Sequence, residues 1–116
     1  MKRSTLVVDG DPVAEAEVAD TVLTRARGLL FRRELPEALV LRPCSSVHGA
    51  WMSVPLDVAL LDRDGEVLHA QVLRPWGFSA TRRGVRAVLE APAGSFARWG
   101  LGAGSRVRLL GRDREF

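Results

Sequence analysis

Tyrosine is absent from this chain, and cysteine and lysine occur once each, at Cys44 and Lys2. A single thiol excludes an internal disulfide, so no disulfide framework holds the fold. A free cysteine also suits a reducing compartment better than a secreted one. The apolar run near the start, Leu6 to Val8, is far shorter than the roughly 7–15 residues of a signal-peptide core. No run approaches the roughly 20 apolar residues of a membrane span. These absences predict a cytoplasmic protein with no membrane association. The lack of lysine and tyrosine also explains the charge. Sixteen of the seventeen basic residues are arginine, so little titrates between the thiol and the guanidinium groups. A net charge of only +3 therefore yields a sequence pI of about 10.4. That small excess argues against nucleic acid as the main partner and leaves weak binding through surface arginines as a minor reading.

What is present describes an ordinary globular chain. Its 116 residues, 47% hydrophobic and 27% charged, suit a single domain spanning 1–116 with its own core. Thr5 to Val8 and the alternating run Val13 to Val18 flank Asp9-Gly10-Asp11-Pro12 and read as a hairpin. Asp20 or Thr21 can cap a helix over Val22 to Leu30. Ala38 to Leu41 is a short strand. Leu56 to Leu61 and Glu66 to Leu73 form a second hairpin around Asp62-Arg63-Asp64-Gly65. Arg74 to Gly84, with Pro75, Gly77 and Gly84, reads as a long loop. Arg86 to Ala91 is a strand, Ala93 to Trp99 a short helix closed by Gly100, and Arg106 to Leu110 the last strand. Residues 111–116 read as a frayed tail. Many short strands and two short helices predict a mainly β fold, either a small β-sandwich or a partly open β-barrel.

Four segments then stand in a familiar order: Arg27-Gly28-Leu29-Leu30-Phe31-Arg32, His48-Gly49-Ala50-Trp51-Met52, Pro55-Leu56-Asp57-Val58-Ala59-Leu60-Leu61-Asp62 and Val88-Leu89-Glu90-Ala91-Pro92-Ala93-Gly94. In this the chain resembles the domain-of-unknown-function 192 family of bacterial and archaeal proteins over about residues 13–110. The resemblance implies a compact, mainly β fold with short helices and no established activity. The family's commoner form has Lys-Asn after its Trp-Met element. Here Ser53-Val54 follow Trp51-Met52, and Cys44 and His48 precede them.

Chemistry concentrates between Cys44 and Asp57. Cys44 and His48, four apart, meet only on a helix or tight turn, because on a strand they would stand roughly 13 Å apart. Touching, they could form a thiolate–imidazolium pair oriented by Asp57 or Glu90. The plainer alternative is a buried small thiol and a loop histidine. Cys44, His48 and Met52 would be soft copper(I) ligands, but no second cluster supports a metal. Asp57 lies among aliphatic strand residues, so its carboxylate needs donors. Backbone amides of the loop holding His48 are the expected source. Glu90 is expected to accept from the amides at the start of the helix that follows it. Trp51, Trp76 and Phe78 beside Arg74, Arg82, Arg83 and Arg86 could stack on or clasp an anionic group.

No phosphate loop, nucleophile elbow, zinc motif or dinucleotide fingerprint occurs, so neither cofactor nor resident metal is expected. The sequence thus points to a non-enzymatic binding or accessory module. It would hold a small anionic ligand or a peptide in a cleft between the Cys44–Asp57 segment and the Arg74–Gly84 loop. His48, Trp51, Met52, Asp57, Trp76, Arg82 and Glu90 are the candidate contacts. The competing reading is a thiol-dependent hydrolase or transferase built on Cys44, His48 and Asp57.

Overall fold

The computed structural model describes residues 2–19, 36–47, 54–111 and 116. Among them are seven strands, β1 (Lys2–Val8), β2 (Asp11–Ala19), β3 (Ala38–Leu41), β4 (Leu56–Leu61), β5 (Val67–Leu73), β6 (Ala87–Pro92) and β7 (Val107–Leu109). One short helix, α1 (Ser95–Trp99), lies between β6 and β7. The helix expected over Val22 to Leu30 lies outside the described residues. No described helix is long and apolar enough to cross a membrane.

The strands form one sheet in the order β5-β4-β6-β3-β2-β1-β7. Every neighbouring pair is antiparallel except β2 and β3, whose parallel pairing needs a crossover rather than a hairpin. The sheet curls until a bridge between Glu66 and Arg106 joins its two ends. The result is a half-barrel, not the two packed sheets of a sandwich.

Local chemistry sets the turns. Asp9 and Gly10 both take positive φ, 49° and 89°, as a two-residue hairpin turn with the strand twist requires. The Asp9 carboxylate then accepts the Arg106 N–H at 2.8 Å, tying this turn to the entry of β7. At the other hairpin, Asp62 Oδ1 accepts from the amides of Asp64 and Glu66, both at 2.9 Å. Gly65 (φ 84°) follows where the sheet closes. Its carbonyl accepts from Val107 N–H at 2.8 Å. A Cβ on Gly65 would fall on the Val107 carbonyl oxygen. Gly65→Ala is therefore expected to cost about 3 kcal/mol of stability, read as a lowered denaturation midpoint with unchanged m-value.

The inner face of the curl carries the main core: Leu6, Val8, Ala16, Val18, Val40, Ala59, Leu61, Leu89, Val107 and Leu109, closed by Phe96 of α1. Phe116 also packs there and donates its N–H to Arg63 O at 2.9 Å. Residues 112–115 of the tail expected to fray lie outside the described residues. The outer face is buried too where β3, β6 and β4 lie side by side. Leu39 and Leu41, and Leu56, Val58, Leu60 and Val88, pack beneath Cys44, Val47 and Val85. Coverage on both faces is why these strands read as nearly unbroken apolar runs. Only Asp57 and Glu90 interrupt them.

Candidate functional site

Side-chain alternation sends the two carboxylates to opposite faces. Asp57 lies across from Ala91 on one side and Val72 on the other, on the inner face with Ala59 and Leu61. Its Oδ2 accepts two amide hydrogen bonds, from Gly94 at 3.0 Å and Phe96 at 2.9 Å. Gly94 is the residue before α1, where a serine or aspartate side chain would normally cap the helix. Glycine has none, and no local side chain caps this helix. Asp57 supplies the missing acceptor from a distant strand. Buried to 6% exposure, the carboxylate is therefore a structural tether. Its donors come from the turn after β6 and not, as the sequence suggested, from the loop holding His48.

Glu90 takes none of those amides, which corrects the role expected for it. It points to the outer face between Leu39 of β3 and Val58 of β4, each directly opposite. It is as buried as Asp57, and among the described residues no donor reaches its carboxylate. Burial among these aliphatic neighbours pushes its pKa from an ordinary 4.5 up to about 7.

Cys44 packs against the apolar clusters on both sides of β6, so it sits over the outer face of that strand. It is half-buried, and its thiol donates to Ser46 O at 3.2 Å. The sheet thus separates Cys44 from Asp57. His48, Trp51 and Met52 lie outside the described residues. Among the described residues no three His, Cys, Asp or Glu side chains cluster as metal ligands.

The long loop between β5 and β6 is tightly held. Gln71 on β5 accepts the Ala80 N–H at 2.7 Å through Oε1 and donates to Phe78 O at 3.4 Å through Nε2. Val47 and Ser79 bond twice: Ser79 N–H to Val47 O, and Val47 N–H to Ser79 Oγ, both at 2.8 Å. The Val47–Ser79 pair joins the loop to the segment after β3, and residues 48–53 of the expected cleft lie outside the described residues. Arg82 Nη2 lies 3.4 Å from His69 Nδ1, so His69 sits half-buried under the loop rather than on a freely wetted face. Gln71 and Ser79, which fix this loop, escaped the sequence reading. Nothing in their local pattern distinguishes them from surface polar residues.

What the held loop presents is unusual. Phe78 is 79% exposed and Trp76 61%. Gly77 N–H donates to Arg74 O at 2.8 Å, closing a turn with Pro75 and Trp76 at its centre. Trp76 has φ 63°, so this is a type II turn with tryptophan where glycine fits best. A bulky residue there is a backbone outlier, of the kind that clusters at functional sites. Arg74, Arg82, Arg83 and Arg86 are all exposed. Among the described residues none of these four makes an ion pair, whereas Arg3 pairs with Glu15 and Arg106 with Glu66.

The described residues thus define a mainly β half-barrel with a buried carboxylate tether and a hydrogen-bonded loop that exposes two aromatic rings. The chain belongs to the DUF192 family, described as Uncharacterized ACR, whose model matches residues 5–109. Among curated proteins it is similar to UPF0127 protein PF1050 of Pyrococcus furiosus, 31% identical over 98 residues, covering 80% of this chain and 84% of that protein. It is also similar to UPF0127 protein PH1112 of Pyrococcus horikoshii, 29% identical, covering 69% and 74%. Among solved structures, a protein of unknown function from Novosphingobium aromaticivorans superposes with a TM-score of 0.77 at 24% identity, covering 91% of this chain and 84% of its own. That likeness shows the fold alone. A Sinorhizobium meliloti protein, provisionally described as a transcription regulator, does so with a TM-score of 0.76 at 22% identity, covering 95% and 94%.

Proposed function

We propose that this chain is a non-enzymatic binding module whose contact surface is the loop of residues 74–86, and that it holds an anionic ligand there. One observation carries the reading: Trp76 and Phe78 stand 61% and 79% exposed on a loop pinned by Gln71 and Ser79. Large aromatics left in water cost burial energy that folding would otherwise recover, about 1.5–3 kcal/mol each. Because the loop backbone that carries them is already pinned, less of it must be ordered when a partner covers them. Four exposed arginines around them favour negative charge in the bound group.

The thiol-dependent reading is weaker. Cys44 lies on the opposite side of the sheet from the aspartate it would need. It also donates to a backbone carbonyl, an ordinary role for a packed thiol.

Thermal-shift titration against a panel of anionic metabolites and peptides tests the proposal. A binder should raise Tm for the natural chain and for Trp99→Phe, and lose about tenfold or more in affinity in Trp76→Gly and Phe78→Ala. Trp76→Gly should itself leave Tm unchanged or slightly raised, because glycine relieves the positive φ. If every binder tolerates both loop substitutions, the surface has been misassigned.

A further inference from the structure

Charge is not spread evenly over this chain. Between Val67 and Leu89 there is no aspartate or glutamate and there are four arginines, at 74, 82, 83 and 86. The remaining thirteen basic and fourteen acidic residues nearly cancel. The whole positive excess of the protein therefore belongs to the β5–β6 region, on the loop that also exposes Trp76 and Phe78. All four guanidinium groups face solvent without a carboxylate partner among the described residues.

We infer that the natural occupant of this loop is an extended acidic peptide segment carrying an apolar or aromatic side chain among its carboxylates. The inference rests on the binding role just proposed and narrows it to a partner. Two features favour a peptide over a nucleic acid. A nucleic acid gains affinity from many phosphate contacts, and four arginines would give a salt slope of only about −3 for a single strand. An acidic peptide needs no more than this loop offers. Arginine clasps carboxylates two-pronged, and exposed Trp76 and Phe78 supply the apolar anchor that interfaces concentrate in a few residues.

Fluorescence anisotropy with three labelled probes tests this. The first is a short peptide of Glu and Asp around a central Leu-Phe. The second is the same peptide with Gln and Asn in place of the acids. The third is an oligothymidylate of similar length. Each is titrated into the natural chain, Trp76→Gly and the charge-reversed Arg82→Glu/Arg83→Glu pair, with circular dichroism checking that each variant folds. The acidic peptide should bind best, losing about tenfold or more in its amide form and in both variants, and weakening as salt rises. Equal binding of the amide peptide, or tighter binding of the oligothymidylate, overturns the acidic-peptide partner while leaving the loop as a contact surface. Binding of all probes that ignores Trp76→Gly and the charge reversal, or no binding of any probe, overturns the contact surface itself and the partner with it.

Discussion

Replacing Glu90 by glutamine is expected to raise the unfolding free energy by about 2–3 kcal/mol at pH 8 and to change it little at pH 4. The reason is the position of this carboxyl between Leu39 and Val58, without a described donor. Burial raises its pKa in the folded chain from 4.5 to about 7, so the folded state holds the proton more tightly than the unfolded one. Below pH 4.5 the group is neutral in both states and costs nothing electrostatically. As pH rises from 4.5 to 7 the unfolded chain ionises first and stability falls. Above 7 the loss is complete, and a shift of this size corresponds to about 3 kcal/mol. Glutamine removes the ionisation and should flatten that stretch of the stability curve. Urea titrations of both proteins at intervals from pH 4 to 8 give the comparison. A natural chain whose stability does not fall over this interval would show that the carboxylate is solvated in the folded protein.

Replacing Asp57 by alanine should do the opposite and cost about 3 kcal/mol or more. It leaves the amides of Gly94 and Phe96 without an acceptor beside a buried strand. Because both bonds end on a single oxygen, Asp57→Asn keeps an acceptor in place and should lose only about 1 kcal/mol, the difference between charged and neutral acceptors. Hydrogen exchange separates this from a general loss of packing. Protection at Phe96 should fall in Asp57→Ala relative to amides of β1 and β2. Uniform loss at every site would mean that the carboxylate contributes only through bulk.

These two residues also mark how far the sequence could be read. Both stand out as lone carboxylates in apolar runs, and local pattern identified them, the strands around them and the Asp62–Gly65 hairpin. Which face each occupies follows from register. Leu39 and Val58 flank Glu90, and Ala91 and Val72 flank Asp57, pairings made between segments far apart in the chain. Spacing along one strand cannot carry that information, so the sequence assigned the helix-start amides to Glu90 when Asp57 accepts them. The same limit hid the closure at Gly65 and Val107. It also hid Gln71 and Ser79, whose value lies wholly in partners distant in sequence. The aromatic and arginine content of the long loop was legible. Its pinning was not, because the bonds to Gln71 and Val47 reach outside the loop's own pattern.

The most direct measurement is amide chemical-shift mapping of the isotope-labelled chain during titration with the acidic Leu-Phe peptide. Perturbations should centre on His69, Gln71 and residues 74–86, and vanish in Trp76→Gly. Shifts centred instead on the Val13–Trp99 groove, or over β6 around Cys44 and Glu90, would contradict a binding surface on this loop.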